Sequence, residues 1–186
     1  LETLPGVDER IALSGFSFGG FVVNRVTIHE KRVKALIPDS PIVNMHLMSR
    51  RFFDRFPDWM PTWLRRRLLN ASMSRKPMMK ALLEYSLHTW GIKGDLFDFI
   101  ESGLSKQMDV TQDLHGIKCP VLGLVSDQEG PLLLEQAKQF IQGVGSENKQ
   151  LLVLNLAKDG TDDHCQLDNF SRAGQIVFDW LDEVFD

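Results

Sequence analysis

Apolar positions along the chain form two patterns, short continuous runs and stripes at helical spacing, and only the second survives through the middle of the chain. Ile11-Ala12-Leu13, set between Arg10 and Ser14, is a run of the kind that builds a buried strand, and Leu4-Pro5-Gly6-Val7-Asp8 ahead of it reads as a turn. From about Phe18 to Glu30 the spacing predicts a helix. Its β-branched residues (Val22, Val23, Val26, Thr27, Ile28) are poor helix formers, so packing against a sheet has to hold it. Arg32 to Pro38 begins charged and turns apolar, a second strand closed by Asp39-Ser40-Pro41. Strand, helix, strand at this spacing is one right-handed parallel crossover. Pro120 to Ser126 and Lys149 to Leu156 are two further strands, with continuous apolar cores that suit parallel strands covered on both faces. A helix from about Leu132 to Gly143 joins them. A terminal amphipathic helix carries Phe170, Ile176, Val177, Trp180, Leu181 and Val184 on one stripe.

Between these halves, from 45 to 115, strand signals vanish. Aromatics and leucines recur at helical spacing (Phe52, Phe53, Phe56; Trp63, Leu64, Leu68; Leu82, Leu83, Leu87), broken by Pro57, Pro61, Pro77, Gly91 and Gly94. This is a helical insertion dividing a core made of 1–44 and 116–186. Its first part is strongly basic: Arg50, Arg51, Arg55, Arg65, Arg66, Arg67, Arg75, Lys76 and Lys80 face only Asp54 and Asp58. Such a run is ordinarily a solvated helix face; the sharper reading is attraction of an anionic substrate or partner.

Composition narrows the function classes. A net charge of -4 over 186 residues leaves no cationic excess to displace counterions from a phosphate backbone, so no nucleic-acid partner is expected. No apolar run reaches membrane-spanning length, so no membrane partner is expected, and the two cysteines, Cys119 and Cys165, make no disulfide framework. A cytoplasmic location is the expectation. No histidine-carboxylate spacing recommends a metal, and no cofactor is expected.

The chemistry concentrates at Gly15-Phe16-Ser17-Phe18-Gly19, between the first strand and the first helix. A strand that turns this sharply into a helix exposes the central serine at the helix N-terminus. There the N–H of Phe18 can stabilise an oxyanion, and the flanking glycines remove side chains that would clash. Serine needs a base to become a nucleophile, and an imidazole base needs a carboxylate to orient it. His164 lies in the polar loop Asp159–His164 directly after the last strand, and Asp127 and Glu129 follow the strand before it.

The chain order nucleophile, acid, histidine resembles the carboxy-terminal half of an α/β-hydrolase. Gly15-Phe16-Ser17-Phe18-Gly19-Gly20, Arg32-Val33-Lys34-Ala35, Ser40-Pro41 and Asp163-His164-Cys165-Gln166, with Asn169-Phe170 ahead of Phe178-Asp179-Trp180-Leu181, resemble one branch of it in particular. That branch holds acylaminoacyl-peptidase-like proteins, 2,6-dihydroxypseudooxynicotine hydrolases and fungal polyketide-shortening hydrolases. The resemblance implies a parallel-sheet α/β fold, here its last four core strands, with a helical cap inserted where 45–115 sits. It implies hydrolysis of an ester, amide or activated carbon-carbon bond in a small-molecule acyl or ketone substrate, through an acyl-enzyme on Ser17 with His164 as base. Family spacing places the acid three residues after a strand-end glycine, whose position Ser126 occupies. That points to Glu129, while Asp127 stays open as the acid nearer the strand end. An acyltransferase on the same residues, or a non-catalytic binding module of the same fold, is the rival reading, and a homodimer stays open. An α/β-hydrolase has further strands ahead of the nucleophile strand, so the expectation is also that these 186 residues lack an amino-terminal half. Alone they would then expose a sheet edge, dissolve poorly and be close to inactive.

Overall fold

A computed structural model describes residues 8–186, so all but the last residue of the turn read at Leu4 to Asp8 lies outside the described residues. The elements run β1 (Ile11–Phe16), α1 (Phe18–His29), β2 (Val33–Asp39), α2 (Met45–Arg50), α3 (Thr62–Ser74), α4 (Pro77–Thr89), α5 (Leu96–Glu101), α6 (Leu104–Gln107), β3 (Val121–Ser126), α7 (Pro131–Gly143), β4 (Lys149–Leu154), α8 (Leu156–Asp159) and α9 (Phe170–Phe185). Among the described residues the four strands form one sheet in the order β1-β2-β3-β4, all parallel. The fourth strand ends two residues early, because Asn155 caps the short helix α8 by accepting from Lys158 N–H.

The chain divides into two compact units, one of residues 1–43 and 110–186 and one of residues 44–109. In the first, β3 is buried along its whole length, as its continuous apolar run requires. Ala35 and Ile37 of β2 and Leu122 and Leu124 of β3 lie on one face and meet Trp180 of α9, flanked by Ile176, Val177 and Leu181. Truncating Leu124, 1% exposed, to alanine would cost about 2–5 kcal/mol. α1 packs on β1 and β2, and α7 on β3 and β4. β1 is less covered: it pairs with β2 along one side, and Phe16, 45% exposed, rests on the ring of Phe170 at 5.3 Å. A cavity of about 360 Å³ lies between this end of β1 and α9, apolar apart from Ser14 and Asp39.

The second unit has its own core, built from Phe53, Leu69, Leu87, Leu96, Phe97 and Phe99. Trp90 stacks on Phe99 with ring centroids 4.8 Å apart. Two arginines of the basic run tie this unit together. Arg65 donates to the carbonyls of Met60 (2.8 Å) and Pro57 (2.6 Å), and Arg66 reaches Asp95 (2.7 Å) and Asp98 (2.5 Å), which form the capping box of α5. No helix of the described residues is long and apolar enough to cross a membrane.

Candidate active site

Ser17 sits between the last residue of β1 and the first of α1 with φ 54° and ψ −119°, a strained conformation for a residue with a side chain. Two backbone bonds impose it: Ser17 N–H donates to Asp39 O (2.9 Å), and Gly20 N–H donates to Ser17 O (2.9 Å). The turn brings the chain back on itself so tightly that a Cβ on Gly15 would stand 2.3 Å from the carbonyl oxygen of Gly19. Gly20 is needed for a different approach, since its Cβ would meet Ser40 O at 3.1 Å. A Cβ on Gly19 would meet nothing within 4 Å, which corrects the expectation that both glycines flanking the serine clear a clash. Phe18 opens α1, its ring stacked on Phe21.

His164 lies 147 residues away in sequence, yet its Nε2 is 2.9 Å from Ser17 Oγ. The loop that carries it is tied by Asp168, which accepts from Thr161 Oγ1 (2.5 Å) and Asp162 N–H (3.1 Å). On the other side of the imidazole, Nδ1 is 2.5 Å from Glu129 Oε2. Local chemistry explains why Glu129 and not Asp127 reaches it. Residues 127–129 form a 3₁₀ turn closed by a capping box, in which Ser126 N–H donates to Glu129 Oε1 (2.9 Å) and swings that side chain back over the end of β3, out of contact with solvent. Asp127 points elsewhere and accepts from Gln128 Nε2 (3.1 Å). Ser17, His164 and Glu129 are therefore brought into one hydrogen-bonded line that does not include Asp127. The cavity beside Phe16 meets this site only at Asp39, for neither Ser17 nor His164 lines it.

Ser40 and Cys165 touch this line, and Asp39 and Gln166 stand beside it; sequence reasoning assigned none of the four to it. Ser40 Oγ donates to Glu129 Oε2 (2.5 Å) and stands 3.4 Å from Cys165 Sγ. Asp39 is 1% exposed, and with the Gln166 amide assigned so that its nitrogen faces the carboxylate, Asp39 accepts two hydrogen bonds from it (2.7 and 3.2 Å) while the amide oxygen accepts from Ser126 Oγ (3.0 Å). Cys165 Sγ is 3.7 Å from His164 Nε2. A signal existed for Glu129, since Ser126-Asp127-Gln128-Glu129 is a capping-box pattern; Ser40 and Gln166 lie in segments that carry the family resemblance, but nothing local gives either a partner at the site. The non-glycine residues at positive φ among the described residues are Ser17, Ser40, Cys165 and Gln166, all members of this cluster.

Charge follows from these contacts. Burial works against the ionised form of Glu129, but hydrogen bonds from His164, Ser126 N–H and Ser40 outweigh it and hold its pKa below the usual range. The Cys165 sulfur beside Nε2 and the Glu129 carboxylate at Nδ1 raise His164 above its ordinary value. Burial, followed by the nearby charge of Glu129, pushes Asp39 up to about 7. A carboxylate, an imidazole and a hydroxyl in line, with the hydroxyl at a helix N-terminus, is an arrangement suited to nucleophilic acyl transfer. Elsewhere His46 bonds Ser105 Oγ and His115 the carbonyl of Gln112, while His29 and His88 lie in the last turns of α1 and α4. Among the described residues no three His, Cys, Asp or Glu side chains cluster as metal ligands would.

The serine aminopeptidase S33 family matches residues 3–157. No curated protein matches the sequence. Among solved structures, a 2,6-dihydroxy-pseudo-oxynicotine hydrolase superposes with a TM-score of 0.63 at 19% identity, over 98% of this chain and 42% of its own. A proline iminopeptidase of Mycobacterium smegmatis gives 0.54 at 15% identity, over 95% and 66%. An esterase of Pyrococcus furiosus gives 0.52 at 19%, over 97% and 57%. These likenesses show the α/β-hydrolase fold, and the chain spans less than half the length of the first of them.

Proposed function

We infer, from the premise that this chain belongs to the serine aminopeptidase S33 family, that it carries the nucleophile, base and acid of a serine hydrolase. The observation that supports this most is the line Glu129–His164–Ser17, with separations of 2.5 and 2.9 Å. In this reading His164 Nε2 takes the Ser17 proton as Oγ attacks the substrate carbonyl. Glu129 steadies the imidazolium, and Phe18 N–H, at the start of α1, donates to the oxyanion. The proton then passes from His164 to the leaving group, whose bond to the acyl carbon breaks. Water, deprotonated by His164, attacks the acyl-enzyme, and Ser17 recovers its proton as the acid product leaves.

The substrate class is a small-molecule ester, amide or activated ketone, the last cleaved at its carbon-carbon bond. The test is labelling of the full-length protein with a fluorophosphonate, which phosphonylates an activated serine. Labelling should fall on Ser17 and disappear in both Ser17→Ala and His164→Ala. A full-length protein that hydrolyses its substrate but is labelled at no serine, or at another one, would end this reading.

A further inference from the structure

We propose that Ser40 is a positioning residue for this reaction, acting through its hydroxyl on the Glu129 carboxylate; the inference rests on the serine-hydrolase reading above. Three independent features carry it. The first is chemical. Ser40 Oγ donates to Glu129 Oε2, the same oxygen that faces His164 Nδ1, so the acid's working oxygen has two hydrogen-bond partners while Oε1 is held by Ser126 N–H. A carboxylate fixed at both oxygens cannot rotate away from the imidazole when the imidazole charges.

The second feature is backbone strain. Ser40 has φ 55°, a region that glycine adopts freely and serine does not, and it is 1% exposed. A turn that needed only the backbone shape would be served better by glycine, so the side chain has a reason to be there. The third is how firmly the hydroxyl is placed. Ser40 N–H donates to Leu124 O (2.8 Å), its carbonyl lies in the gap left by Gly20, and the preceding carbonyl, of Asp39, accepts from Ser17 N–H. One short segment at the end of β2 therefore holds the nucleophile's backbone with Asp39 and the acid's side chain with Ser40. Ser17 and Glu129 keep their separation because both hang from it.

The deciding variant is Ser40→Gly in the full-length protein, which removes the hydroxyl and relieves the strain together. The expected result is an unchanged or raised Tm, kcat for an activated ester lower by about tenfold and KM unchanged. The acid limb of the pH–rate profile should move to higher pH, because a carboxylate that has lost one donor holds the imidazolium proton more tightly. In a Glu129→Gln background the same change should add almost nothing, since the hydroxyl acts through that carboxylate. Ser40→Ala, which keeps the Cβ and the strain, should lose activity to the same extent as Ser40→Gly. Full activity in Ser40→Gly overturns the inference. So does a loss of activity that tracks a fall in Tm, or that multiplies in full with Glu129→Gln and leaves the pH profile unmoved, for then Ser40 is a structural tie. Ser17→Ala in the same series separates the two claims: if it keeps its activity the hydrolase reading fails, whatever Ser40 does.

Discussion

Each compact unit contains a pair of neighbouring acids satisfied by hydrogen bonds, and the two pairs differ in the kind of partner that holds their charge. In the helical unit Asp95 and Asp98 share Arg66, and although burial opposes it, bonds from Asn70, Phe97 N–H and Arg66 hold Asp95 below the usual carboxylate range. In the sheet unit the partners of Asp39 and Glu129 are neutral donors and one imidazole, and the acids diverge, Glu129 downward and Asp39 up to about 7. A guanidinium is always charged, so a pair built on it is a permanent staple. Neutral donors and a histidine leave a proton that can move at ordinary pH. The backbone differs in the same sense, for the non-glycine residues at positive φ among the described residues cluster around the second pair. The basic run, the most conspicuous charge feature of the sequence, thus commits Arg65 and Arg66 to holding helices, while serines and a glutamine surround the Glu129–His164–Ser17 line. Any attraction of anions falls to exposed members such as Arg67.

This contrast is tested most severely at the sheet unit's line. In the full-length protein, Ser17→Ala and His164→Ala should each lower kcat by on the order of 10⁴-fold or more while far-ultraviolet circular dichroism and Tm stay near the parent's. A folded Ser17→Ala protein with near-normal turnover would remove the line from the chemistry. Next in size, Glu129→Gln should cost on the order of 100- to 10,000-fold, whereas Asp127→Asn should stay within about twofold, because only the former faces the imidazole. Steady-state rates that rank these two the other way would make Asp127 the orienting acid.

The mobile proton predicts a pH signature between pH 4 and 7 that the staple lacks. Asp39 binds its proton more tightly when folded than when unfolded, so between pH 4 and 7 the native state holds more protons and stability falls as pH rises, by on the order of a few kcal/mol. His164, also raised, contributes in the same sense above pH 6.5. Glu129, lowered, contributes stability that is present above about pH 4.3 and is lost only below that. Asp39→Asn should flatten the slope between pH 4 and 7 in denaturant titrations, since Gln166 can turn its amide to present oxygen to the new side chain and nitrogen to Ser126 Oγ. An unchanged slope would assign the proton to another group. The smallest effect belongs to the staple. Arg66→Ala should cost about 1 kcal/mol, because the pair is partly exposed, and lower Tm by roughly 2–4 °C at any pH above 5. Arg67→Ala, on the exposed side of α3, should leave Tm where it was.

What could be read from the residues alone was whatever depends on neighbours in sequence. Strand runs, helix stripes and the Gly15–Gly19 turn are local, because periodicity and the absence of a Cβ act over a few residues. Each predicted strand and core helix therefore falls within a few residues of its place, and Ser126-x-x-Glu129 could have been read as the cap that turns the acid inward. The short helix α8 was not foreseen, since a single Asn155 cap decides it. Contacts across the fold were beyond such reading. Ser17 and Glu129 come together on one histidine only because parallel strands β1, β2 and β3 end at the same level and the loop after β4 folds back over them. Ser40 is 89 residues from Glu129 and Gln166 is 40 from Ser126. A hydroxyl or an amide says nothing in sequence about which of many acceptors it will meet; burial makes that choice, by leaving each such group one partner and a high cost for having none.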